Sequence, residues 1–166
     1  MTKRFELVAF FATFVVLAAT AEAQIPAAGV IAFTGARVID AYAGTGAVGI
    51  EALSRGAAEV TFIEKDRRAL ALIAENLARC NVATGYNIVR TGAIRAFQSL
   101  DNNRAFDLIL LDPPYAATDA EIASVLESAG ERVAAGGAVV FERPRRRPPP
   151  DAAGQLVRSR DVVSGS

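Results

Sequence analysis

The sequence contains no histidine and no tryptophan, and only one cysteine, in 166 residues. The absence of histidine excludes Ser-His-Asp and Cys-His hydrolase mechanisms and leaves no zinc site built on imidazole. Cys80 cannot form an internal disulfide, so nothing in the sequence calls for an oxidising compartment. We therefore expect no metal and a chemistry that uses carboxylates, hydroxyls, backbone groups or an organic cofactor.

The chain also lacks net charge, because 18 basic residues balance 18 acidic ones. A general electrostatic attraction to nucleic acid is not predicted, and such binding would need a local basic patch. Arg143, Arg145, Arg146 and Arg147, in a proline-rich connector, are one candidate, and a solvated linker is the other interpretation. With 52% hydrophobic and 22% charged residues, the composition is typical of one globular domain, which we expect to be monomeric.

The first 35 residues look unlike the rest of the chain. An apolar run from Leu7 to Ala19 follows Lys3 and Arg4, and the small residues around Glu22 resemble a cleavage site. This layout is typical of a secretory signal peptide, while a buried helix or a misassigned start are the alternatives. We therefore divide the sequence into a leader (1–35) and a domain (36–166). The protein is predicted to be cytoplasmic, or exported if residues 1–23 are a true signal peptide, and only that leader suggests a membrane.

Within residues 36–166, short apolar segments alternate with helical patterns, which predicts a mostly parallel sheet with helices on both faces, a Rossmann-like α/β fold. The predicted strands are 37–41, 60–64, 87–90, 106–111, 138–142 and 155–160, with a turn at Gly136-Gly137 before the fifth. Helices are predicted to open at Val48, after a cap at Asp66, near Ile94, and after a Thr118–Glu121 capping box.

A glycine-rich turn follows the first predicted strand. Gly44, Gly46 and Gly49 have the G-x-G-x-x-G spacing between a strand and a helix. Glycines at these positions permit a tight turn and let a cofactor approach the backbone at the helix N-terminus. The turn therefore predicts a nucleotide-like cofactor without saying which one.

An acidic residue, Glu64, ends the second predicted strand eighteen residues after Gly46. At this place a carboxylate can accept hydrogen bonds from both hydroxyls of a ribose. The alternative is an ordinary solvated glutamate beside Lys65. We predict ribose binding, because the spacing and the strand context agree.

The sequence Asp112-Pro113-Pro114-Tyr115 follows the most apolar predicted strand, at the edge where open α/β sheets bind their ligands. Neither proline has an N–H group, so the segment offers rigid carbonyl and carboxylate acceptors. Such acceptors suit an exocyclic amine, and Tyr115 offers a flat face for an extruded base. The alternative is a simple proline turn before a helix.

These motifs together identify a resemblance to the class I S-adenosylmethionine-dependent methyltransferases, over residues 37–143. Within them the chain is most similar to the bacterial 16S ribosomal RNA guanine-N2 methyltransferases. The resemblance rests on 40–57, 62–66 and 106–115. It implies S-adenosylmethionine as cofactor and a small-subunit ribosomal RNA or particle as partner. It places the target guanine at residues 112–115, and the cofactor at Asp40, Tyr42, Gly44, Gly46, Glu64, Lys65, Gly92 and Asp112.

The chain departs from that family in three places. Gly92 stands where the family has an acid that contacts the adenine amine, the apolar leader replaces the usual N-terminal segment, and no edge strand is recognisable after Arg160. We therefore expect a sheet truncated at its C-terminal edge strand. A non-catalytic relative that binds nucleic acid, and an NAD-dependent oxidoreductase, remain as alternatives, as does an exported protein that uses the scaffold for another purpose.

Overall fold

The computed structural model describes residues 12–18, 33–101, 103, 105–144 and 156–163. In this part of the chain, seven strands form one sheet in the order β4-β3-β2-β5-β6-β1-β7. The strands are β1 Ala12–Ala18, β2 Arg37–Ala41, β3 Glu59–Ile63, β4 Tyr86–Val89, β5 Phe106–Leu111, β6 Val133–Pro144 and β7 Val157–Val163. Strands β2 to β6 are mutually parallel, as predicted.

Four helices connect the parallel strands: α1 Ala47–Ser54, α2 Arg67–Arg79, α3 Ala93–Ser99 and α4 Asp119–Gly130. The caps predicted from the sequence hold two of them. The Asp66 side chain accepts hydrogen bonds from two backbone N–H groups of α2, and Thr118 and Glu121 form a capping box on α4. These bonds satisfy N–H groups that a helix N-terminus otherwise leaves unpaired.

The helices cover both faces of the sheet, which confirms the predicted fold class. One apolar cluster packs α3 and α4 against the sheet and contains Phe97, Leu126 and Phe141. The other packs α1 and α2 on the opposite face and contains Phe62 and Ile73. Strand β5 lies between β2 and β6 and is mostly buried, as expected of a central parallel strand. The carboxyl ends of β5, β2 and β3 therefore lie together at one edge of the sheet, next to the packed core.

The N-terminal segment corrects one expectation. Residues 12–18 form a strand and not a helix, and this strand pairs antiparallel with both β6 and β7. A buried N-terminal helix is therefore wrong for these residues. Residues 1–11 and 19–32, with the proposed cleavage site, lie outside the described residues, so the leader stays a prediction. In the described part of the chain, no helix is long and apolar enough to cross a membrane.

The C-terminal part of the sheet differs from the expectation in two further details. The turn predicted at Gly136-Gly137 lies inside β6, as an irregularity where Gly136 has a φ of 79° and the register against β5 shifts; regular pairing resumes at Ala138, where the fifth strand was predicted to begin. The strand predicted over 155–160 lies instead at Val157–Val163 and forms the edge of the sheet. The antiparallel strand beside this edge comes from the N-terminal segment, so the expected truncation of the sheet at this edge is wrong. Sequence periodicity alone does not reveal this pairing.

Candidate active site

The glycine-rich turn connects the end of β2 to the start of α1, as predicted. Tyr42, Gly44 and Gly46 have φ angles of 63°, 55° and 74°, in the left-handed region. At Gly46 a Cβ would also lie 3.2 Å from the side chain of Ile73. The turn thus needs glycine for its backbone and for close packing on α2, while Tyr42 holds an uncommon conformation typical of functional sites.

Asp40 lies at the base of this turn and is only 5% exposed. Its Oδ2 accepts a hydrogen bond of 2.9 Å from the N–H of Gly49, in the first turn of α1. Burial raises the pKa of Asp40 to about 7, and the charges of Asp112 and Glu64 add to this while the Gly49 bond opposes it. The carboxyl of Asp40 therefore accepts a hydrogen bond from an N–H group at the N-terminus of α1, so this N–H is not free to bind a ligand.

Glu64 connects the glycine turn to the start of α2. Its Oε2 accepts a hydrogen bond of 3.0 Å from the N–H of Gly44, and its Oε1 accepts bonds of 2.7 and 2.8 Å from the N–H groups of Lys65 and Asp66. The interpretation as an ordinary solvated glutamate is therefore wrong. Since Oε2 accepts one bond, it retains capacity for a ribose hydroxyl, and ribose binding stays a prediction.

Asp112 to Tyr115 follow β5 directly and lie beside the glycine turn. The N–H of Asp112 bonds at 3.4 Å to the carbonyl of Ala41, at the end of β2. Pro113 is buried, whereas the Tyr115 side chain is 77% exposed. Although Asp112 is solvent-accessible, the protein around its carboxyl raises its pKa by desolvation. The segment thus presents an acceptor and an open aromatic face.

The structure adds Glu142, which the sequence analysis did not select. Leu111 and Phe141 are register partners in the parallel pair of β5 and β6, so Asp112, directly after β5, lies beside Glu142 of β6. Burial, then the charge of Asp112, raises the pKa of Glu142 to about 6. A charged residue at the carboxyl end of an apolar strand was the available signal, as it was for Glu64.

Comparison with known proteins agrees with this geometry. Residues 14–166 match the family model described as Conserved hypothetical protein 95. Over 134 residues the chain is 31% identical to "Putative rRNA methyltransferase YlbH" of Bacillus subtilis, covering 80% of this chain and 73% of that one. It is 36% identical over 81 residues to ribosomal RNA small subunit methyltransferase D of Buchnera aphidicola, covering 48% of this chain and 40% of that protein.

A solved "conserved hypothetical protein" of Streptococcus pyogenes has 36% identity and a TM-score of 0.53, over 61% of this chain and 62% of that one. The chain belongs to the family described as Conserved hypothetical protein 95, within the class I S-adenosylmethionine-dependent methyltransferases. This membership confirms the family and cofactor class predicted from the sequence. The match spans less than half the length of methyltransferase D, so it does not show that this chain has the activity of methyltransferase D.

The charge of the site fits the cofactor of this family. Asp40, Glu64 and Asp112 lie close enough for the charges of the last two to raise the pKa of the first. S-adenosylmethionine carries a positively charged sulfur, which such a site favours. A dinucleotide would instead bring a pyrophosphate to the N-terminus of α1, where Asp40 already binds the N–H of Gly49. The carboxylates of the site therefore suit the sulfonium, and the occupied N–H of Gly49 disfavours the pyrophosphate of NAD.

The remaining predicted residues divide into those placed near the site and those not described. Lys65 follows β3 and Gly92 precedes α3, both at the same sheet edge. Arg145, Arg146 and Arg147 lie outside the described residues, and of Arg143 only the backbone is described. The arginine patch, the monomeric state and the absence of metal stay predictions, although no metal-binding group of three or more His, Cys, Asp or Glu occurs in the described part.

Gly92 is open to substitution by an acid. It is the N-cap residue of α3, with φ −68° and ψ 153°, and a Cβ there would meet no atom within 4 Å. We expect Gly92→Asp to bind S-adenosylmethionine about ten-fold more tightly, because the family resemblance predicts that a carboxylate here accepts a hydrogen bond from the adenine amine, worth about 1.5 kcal/mol. Calorimetric titration measures this affinity. Gly92→Ala adds a side chain without an acceptor, and equal gains in both variants would contradict the adenine contact.

Proposed function

We propose that the protein transfers a methyl group from S-adenosylmethionine to the exocyclic N2 amine of a guanine in 16S ribosomal RNA. The observation that carries this proposal is the Asp112–Tyr115 segment beside the glycine turn, joined to it through Ala41. The names of the relatives, which refer to ribosomal RNA, support the substrate class. The guanine and its N2 position rest on the family resemblance and on the acceptors described next.

The chain's own residues have a limited chemical task. When bound, S-adenosylmethionine would supply an electrophilic methyl group, and the transfer of this group to the amine would leave a neutral thioether. Asp112 would accept a hydrogen bond from the amine and so point the lone pair of the amine nitrogen at the methyl group. The contribution of Asp112 is therefore alignment. The surplus proton leaves afterwards to Asp112 or to water. No step needs a histidine, in agreement with the composition.

Two neighbouring carboxylates favour guanine over the other bases with an amine. Guanine presents the ring N1–H and the N2 amine side by side as donors, whereas adenine and cytosine pair their amine with a ring-nitrogen acceptor. Asp112 directly follows β5 and Glu142 lies beside it in the adjacent strand β6, and both are acceptors when ionised. With its pKa raised to about 6, Glu142 is mostly ionised at pH 7. An acceptor pair of this kind would bind the guanine edge and repel the ring nitrogen of the others.

The proposal is tested by incubating the full chain and radiolabelled S-adenosylmethionine with unmodified 16S ribosomal RNA or small-subunit particles. Digestion to nucleosides and mass spectrometry then identify the product. We expect N2-methylguanosine as the labelled nucleoside. Methyladenosine or methylcytidine would contradict the base assignment while keeping the enzyme class. Saturable cofactor binding with no labelled RNA would favour the non-catalytic alternative, for which the missing acid at Gly92 is the specific observation.

A further inference from the structure

A basic groove lies on the outer side of α2, next to the candidate active site. Its volume is about 450 Å³, and Lys65, Arg67 and Arg90 line it together with Leu70, Ala71 and Ala74 of α2. The three cationic residues come from the segment after β3, the first turn of α2 and the segment after β4. We define these six residues as the basic groove. Its cations are exposed and its floor is apolar.

The three cations of the basic groove make no ion pair in the described part of the chain. The ion pairs found there join Arg37 to Glu59, Arg55 to Glu51 and Arg79 to Glu75, all outside the groove. The two acids next to Lys65 in the sequence, Glu64 and Asp66, direct their carboxylates at backbone N–H groups, and Lys65 acts on Glu121 only through its charge, without an ion pair. A chain without net charge thus places three cations that make no ion pair in the described part around one concave surface, which is the electrostatic signature of an anion-binding surface.

The position of the basic groove relative to Asp112 suits an extended polyanion. Lys65 and Arg90 follow β3 and β4, at the same sheet edge as Asp112 after β5. Strands β4 and β5 are separated by β3 and β2, so at about 4.8 Å per strand the two places are about 14 Å apart. About four stacked nucleotides, at about 3.4 Å each, span that distance.

From this geometry we infer that the basic groove binds the sugar–phosphate backbone of the substrate RNA, a few nucleotides from the base held at Asp112. The inference rests on the proposed RNA substrate. Arg67 and Arg90 contact phosphates, and the apolar floor of α2 packs against the sugars. Such contacts position the strand and carry no sequence information. The basic groove thereby supplies the local basic patch that a chain without net charge needs for RNA binding.

The test uses the double variant Arg67→Ala/Arg90→Ala with an unmodified 16S ribosomal RNA transcript. We expect RNA affinity to fall about ten-fold at low salt, and the salt dependence of log K to flatten by about 0.7 for each lost contact with a single strand. The variant Arg67→Lys/Arg90→Lys retains both charges and is expected to recover most of the affinity. Affinity for S-adenosylmethionine, measured by calorimetry, is expected to stay unchanged.

A matched control removes the same charge elsewhere. Arg55→Ala/Arg79→Ala deletes two exposed arginines that are paired with Glu51 and Glu75, at 2.6 Å each, and RNA binding should hardly change. Equal losses in both double variants would reduce the effect to net charge and overturn the inference. A loss of cofactor affinity in Arg67→Ala/Arg90→Ala would assign the groove to the cofactor instead. If the wild-type chain neither binds nor methylates RNA, the proposed function itself fails.

Discussion

Replacing Asp112 by alanine is expected to lower the rate of methyl transfer by at least about 100-fold, far more than it lowers cofactor affinity. Asp112 is accessible directly after β5, three residues before the exposed Tyr115. Without it the amine loses the acceptor that aligns it, and a misplacement of about 1 Å costs about 100-fold in rate. Single-turnover kinetics with labelled cofactor measure the rate, and calorimetric titration measures the affinity.

Two further variants separate this role from a general effect of charge. Asp112→Asn keeps the shape but places an amide donor against the donors of the amine, so it is expected to be as inactive as Asp112→Ala. Glu127→Ala removes an exposed carboxylate from α4 and should leave the rate unchanged. Parallel losses of rate and cofactor affinity in the Asp112 variants would assign the residue to cofactor binding and contradict the alignment role.

The parallel core of the fold could be predicted because local patterns and tertiary structure agree there. The predicted limits of the strands at 37–41 and 106–111 are those of the structure, and the caps at Asp66 and Thr118 form as expected. The pairing of β1 with β6 and β7 could not be predicted. An apolar run is compatible with a signal peptide, a helix or a strand, and only contacts with distant parts of the chain decide among them.

The candidate site could be predicted where a sequence motif determines the backbone conformation. It could not be predicted where the role of a side chain depends on loop geometry or on the register of two strands. The glycine turn and the Asp112–Tyr115 segment lie at adjoining strand ends, as their order implied. The bonds of Glu64 to three N–H groups were not foreseen, because loop geometry determines them. Glu142 was missed for a similar reason, since its relation to Asp112 depends on the register of β5 and β6.

Gly49→Ala is expected to destabilise the fold, although alanine is the better helix former by about 0.5–1 kcal/mol. A Cβ at Gly49 would lie 2.3 Å from the ring of Phe62 and 2.9 Å from the side chain of Val60, and both side chains are fully buried. Overpacking of this kind costs about 1–3 kcal/mol or more. The melting temperature, followed by circular dichroism without cofactor, should therefore fall by several degrees.

The sign of the change decides what the third glycine of the turn does. A stabilised Gly49→Ala protein would show that helix propensity outweighs packing and that α1 can move away from β3. Gly92→Ala is the control, because its Cβ meets open space at an ordinary φ of −68°, and its cost at a helix N-cap should stay below about 1 kcal/mol.

A displaced α1 would also move the Gly49 N–H away from Asp40. We therefore expect Gly49→Ala to weaken binding of S-adenosylmethionine as well, whereas a loss of stability with unchanged affinity would separate the packing of α1 from the cofactor site.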